Sequence, residues 1–126
     1  MAASNGIMRW ETLRSDTFTT IANAYAANTY APIGGPIEYP SLIIKIVNTT
    51  DVTMLVSLAG VYTAPQTAAS VAIDVVSPGG FVLYDITTNR TSVSGTLAAP
   101  VGEQFYVYGN PTMGEVYVVA IYSSNS

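Results

Sequence analysis

The chain has 126 residues, of which 49% are hydrophobic and 10% charged, with a net charge of −4. That length suits a single domain with a core of its own, and the apolar content excludes disorder. Its four cations, Arg9, Arg14, Lys45 and Arg90, are too few and too scattered to neutralise a run of phosphates, which argues against nucleic acid and anionic membranes as partners.

Ile7 to Arg14 is a mixed segment, so residues 1–16 read as an N-terminal arm or a first strand, and residues 17–126 as one domain. Thr17 to Tyr25 reads as a strand around Phe18 and Ile21, or as a helical turn, because Ala22, Ala24, Ala26 and Ala27 permit it. Asn28 to Pro40 is a loop tethered by Tyr30, Ile33, Ile37 and Tyr39. Leu42 to Asn48 is a strand with Leu42, Ile44 and Ile46 on one face and Ile43, Lys45 and Val47 on the other. Both faces are largely apolar, as in a central strand covered on two sides. Asn48 to Asp51 carries turn chemistry, and Val52 to Leu58 reads as the returning strand of a hairpin.

Further strands follow at Ser70–Val76 and Phe81–Ile86, parted by Pro78-Gly79-Gly80. Gln104–Tyr108 and Glu115–Tyr122 complete the chain, joined through Asn110–Gly114 as a second expected hairpin. Parallel strands need long crossovers, and these connections are short. The expected fold is therefore all-β: an antiparallel two-sheet sandwich of jelly-roll type with seven or eight strands.

Chemistry has little to work with. The chain lacks cysteine and histidine, which removes thiol nucleophiles, thiolate metal sites, the commonest general base and the commonest metal ligand. Asp51, Asp74, Asp85, Glu103 and Glu115 lie at expected strand ends and turns, where carboxylates serve solvation. No D-x-D-x-D spacing supports calcium, and Pro78-Gly79-Gly80 leads into a strand rather than the helix a phosphate loop needs. The expectation is a non-enzyme without a cofactor or metal. Asn48-Thr49-Thr50 and Asn89-Arg90-Thr91 match the glycosylation pattern. Met1 to Met8 shows no signal-peptide pattern, so these matches read as chance.

Recognition is left to the aromatic residues and the arm. An ordinary domain is about 25% charged, so part of this surface is expected to be covered in the working state. Trp and Arg are favoured interface anchors, which makes Arg9, Trp10 and Arg14 candidates in the arm. Tyr30, Tyr106, Tyr108 and Tyr117 are further interface candidates; alternatively Tyr106, Tyr108, Tyr117 and Tyr122 form a stacking platform for sugars. In a C-terminal hairpin the Tyr106/Tyr108 face would meet the Tyr117 face.

Several stretches together carry a likeness. The Arg9-Trp10 arm and Gly34-Gly35-Pro36 are followed by Ile46-Val47-Asn48-Thr49-Thr50-Asp51 and Val56-Ser57-Leu58-Ala59-Gly60-Val61. Phe81-Val82-Leu83-Tyr84-Asp85, Gly102-Glu103-Gln104-Phe105-Tyr106-Val107 and Thr112-Met113-Gly114-Glu115-Val116-Tyr117-Val118 come after them. This order resembles small virion proteins of tailed bacteriophages, above all the jelly-roll cement, or decoration, proteins of the capsid. The resemblance implies a protein made in the host cytoplasm and placed on the outer capsid surface, where it bridges major capsid proteins and self-associates as a dimer or trimer. The alternatives are a neck or tail component, or a carbohydrate-binding module of a tail tip or fibre. A 13.3 kDa chain exposes roughly 6,500 Å². One standard interface takes about 800 Å² of that from each partner, so several contacts could cover half the molecule.

Overall fold

Two antiparallel sheets and one helix organise residues 7–86 and 98–124, which are the residues described in this computed structural model. In chain order the elements are β1 (Ile7–Trp10), β2 (Arg14–Thr17), α1 (Phe18–Ala26), β3 (Ala31–Pro32), β4 (Ser41–Asn48), β5 (Met54–Ser57), β6 (Asp74–Val76), β7 (Phe81–Asp85), β8 (Tyr106–Tyr108) and β9 (Glu115–Ser124). The first sheet runs β1-β9-β4-β7, with β2 also paired to β9, and the second runs β3-β8-β5-β6. Taken as one interrupted strand, β1 and β2 lie beside the last strand, and each sheet then has four strands. The chain changes sheet at every connection except β5 to β6. That wrapping is the double Greek key of a jelly roll.

The core follows from period-2 alternation. Ile44 and Ile46 of β4 meet Val116, Val118 and Ala120 of β9 on the inner face of the first sheet. Met54 and Val56 of β5, Val76 of β6 and Val107 of β8 face them from the second sheet. Leu42 does not join Ile44 and Ile46. A register shift between Ser41 and Ile43 turns Ser41 inward in its place, and Leu42 is only half-buried.

Thr17 to Tyr25 takes the helical alternative rather than the strand. β2 ends at Thr17, and α1 packs against β2, β3 and β8, closing the gap between the edge strands of the two sheets. Ile21 is its buried residue and enters the core. The helix stops at Asn28, whose φ of 62° is a conformation Asn tolerates. The expected strand at Ser70–Val76 is shortened to β6, preceded by a 3-10 turn at Ala69–Val71.

Neither expected hairpin forms. β4 pairs with β7 and β9, while β5 pairs with β6 and β8. The Asn48–Asp51 turn therefore crosses between sheets, and Asn48 holds the crossing. Its buried side-chain NH₂ donates to the carbonyls of Val52 and Val76, both at 2.9 Å. Its Oδ1 accepts from Thr50 N at 2.9 Å and Thr50 Oγ1 at 2.6 Å. Residues 109–114 cross back from β8 to β9 beside this corner, where the Asp51 carboxylate accepts bonds from the backbone and hydroxyl of Thr112. Gly114, with φ of 91°, lies so close that a Cβ there would sit 2.3 Å from the Thr49 carbonyl oxygen. Asn48 is fully buried, so its glycosylation match has no access to solvent, and Asn89-Arg90-Thr91 lies outside the described residues. No described helix is long and apolar enough to cross a membrane.

Candidate docking surfaces

The sequence of β9 alternates Val116, Val118 and Ala120 with Tyr117, Val119 and Ile121, so both of its faces are apolar. In a two-layer fold only one of those faces can be inner. The outward set lies beside Ile43, Lys45 and Val47 of β4, which in turn pair with Asp85, Leu83 and Phe81 of β7. Phe81 is 58% exposed and Leu83 51% exposed, and the outward residues of β4 and β9 beside them are half-buried. The result is a largely apolar outer sheet face, interrupted by Lys45 and Asp85 and bare among the described residues. Lys45 lays its ammonium over the Phe81 ring, 4.6 Å from the centroid, so its charge lies across the surface.

The face runs on into β1. Trp10 pairs with Ile121 and Met8 with Ser123, which places both on the outer side. All four residues of β1 are exposed, with Trp10 at 69%. β1 lies at the end of the sheet order, so its far edge pairs with no described strand. Such a strand has little of its own to hold it and offers both side chains and backbone to a partner.

Arg14 behaves differently from its neighbours in the arm. It is buried, and its guanidinium donates to the carbonyls of Gly35 at 2.7 Å and Pro36 at 2.6 Å and to Glu11 Oε1 at 2.6 Å. The Glu11 side chain is 2% exposed and also accepts from the backbone N–H groups of Glu38 and Tyr39. This pair clamps the 34–39 loop onto the break between β1 and β2, leaving Arg14 no free donor fork for a partner. An open groove of about 760 Å³ runs beside the clamp, with the exposed Leu13 and Val101 among its lining residues.

The tyrosine candidates divide between the two sheets, so Tyr106 and Tyr108 do not meet Tyr117. Tyr30 is buried, donates to the Ala68 carbonyl at 2.7 Å, and packs with Tyr62 and Tyr108. Burial, then the neighbouring Tyr62, pushes its hydroxyl up to about 12. Tyr108 also packs on Tyr25, and its hydrogen bond with Tyr62, followed by burial, pushes it to about 12 as well. Gly60 lies directly over the Tyr106 ring, where a Cβ would sit 2.7 Å away. These rings pack on one another over β8 of the second sheet, while Tyr122, on β9 of the first sheet, stacks on Tyr39 at 4.2 Å between centroids. Tyr117 lies on the bare face, its hydroxyl bonded to Glu115, which raises its pKa.

No family model, curated protein or solved structure matches this chain.

The carboxylates stay apart. Asp51 is held by Thr112, which lowers its pKa, and Asp74 accepts from the Tyr84 hydroxyl at 2.5 Å. Among the described residues no three acidic groups gather where a metal ion could be held. Asp16 went unnoticed in the sequence. Burial pushes its carboxyl up to about 6 despite a bond from the Thr17 backbone, and its Oδ2 is buried without a partner. The bare face was half visible in the sequence: β4 is apolar on both sides, a pattern that promises a second cover, and the described residues supply none.

Proposed function

We propose that this protein is a non-enzymatic virion structural protein, a cement protein that bridges major capsid proteins on the outside of a phage head. The observation that carries the reading is the exposed strand β1, whose far edge pairs with no described strand and which is continuous with an apolar sheet face. A soluble chain rarely leaves that much apolar surface contiguous unless another protein covers it. The low charge points the same way, and the sequence likeness supplies the phage capsid as the address. β1 attaches the protein by its free edge and its Ile7 and Arg9 side chains, which alternate with the outward Met8 and Trp10, while the jelly roll behind it provides rigidity.

The test uses a chain beginning at Glu11. This truncation removes β1 and no buried described residue, and it keeps the Glu11–Arg14 clamp. Circular dichroism should report an intact fold, and co-sedimentation with shells lacking the protein should be lost. Undiminished co-sedimentation would overturn the attachment by β1. Copy number in intact particles tests the address, since hundreds of copies fit a head and a dozen or fewer fit a neck or tail.

A further inference from the structure

We infer that the bare outer face of the first sheet is covered by a second copy of this chain, in a two-fold dimer with the two faces packed against each other. The apolar residues Ile43, Val47, Val119 and Ile121 of the central strands, with Phe81 and Leu83 of the edge strand β7, form its apolar part. Taking about 200 Å² for a large side chain, these residues with Tyr117, Lys45, Met8 and Trp10 expose roughly 700 Å². Two copies would bury roughly 1,400 Å², which a stable, specific interface requires.

Three features select a copy over an unrelated partner. First, the chain carries a net charge of −4, so copies repel through most of their surface. The central face is nearly neutral, with Lys45 and Asp85 in its middle rows and Glu115 at the rim beneath the Tyr117 hydroxyl. Second, sheets of L-residues twist with one hand, so two copies of one sheet match in curvature and pack as the sheets of a sandwich do. Third, Lys45 already lies over Phe81 and leaves no ammonium standing up to block a flat approach. A face-to-face contact of this kind is self-complementary and closes with two copies, which selects a dimer over a trimer.

The inference stands apart from the shell reading, and the two fail separately. A dimer that never sediments with shells counts against the shell reading alone, and a chain that coats shells as a monomer counts against this inference alone. The full chain should sediment at about twice 13.3 kDa at micromolar concentrations. Leu83→Lys places an added cation on each copy within the contact and should weaken association by roughly 100-fold or more. Phe81→Lys, at a second exposed position, should do the same. Val61→Lys lies in the loop over the other sheet, at a residue 65% exposed, and should leave the dimer intact. A monomeric or trimeric wild type, or a dimer that survives both face substitutions, would overturn the inference.

Discussion

Replacing Arg14 by methionine tests whether the arm is clamped or free. Methionine keeps the aliphatic stem but removes three short bonds, to Glu11, Gly35 and Pro36. The Glu11 carboxylate would stay buried with only the Glu38 and Tyr39 N–H groups as partners. Breaking a buried ion pair from one side costs about 3–5 kcal/mol. The two remaining N–H bonds put this case near the lower end, at about 3 kcal/mol. With a urea slope of about 1.5–2 kcal/mol per molar, the unfolding midpoint should fall by about 1.5–2 M at an unchanged slope. The double variant Glu11→Gln with Arg14→Met leaves no stranded charge and should recover part of the loss. A loss below about 1 kcal/mol for Arg14→Met would show that the guanidinium is not integral to the fold and would return it to the list of free interface residues.

Asp16 and Asn48 carry the other stability predictions. Asp16 binds its proton more tightly folded, near pH 6, than unfolded, near 3.8, so its burial destabilises the fold above pH 6 and that penalty disappears as pH falls toward 4. Allowing for its partial contact with solvent, Asp16→Asn should gain about 1–2 kcal/mol at pH 7.5, with the gain vanishing by pH 4 in urea titrations. A gain that does not change with pH would remove the carboxyl as its source. Asn48→Asp keeps the shape but loses both donors to Val52 and Val76. It should cost about 3 kcal/mol at pH 7 and less below pH 5, where a protonated carboxyl restores one donor. Equal losses at both pH values would argue that shape, not donation, holds the corner.

The alternation of β4 and β9, the Gly and Pro punctuation and the scarcity of charge were enough to specify an all-β sandwich and most of its core. They could do so because a two-sheet core demands period-2 burial, which a sequence displays directly. Partnership between strands is not local, and there the reading failed. Asn48–Asp51 has the chemistry of a hairpin turn, yet Asn48 spends its donors on Val52 and Val76 and sends the chain into the other sheet. The same limit governs the arm. Arg9, Trp10 and Arg14 look alike as anchors in sequence, but folding brings Gly35, Pro36 and Glu11 around Arg14 and leaves Trp10 bare. Sequence alone established that β4 has two apolar faces. Only the tertiary structure decided that one of them looks outward, because two layers can bury only one side of each sheet.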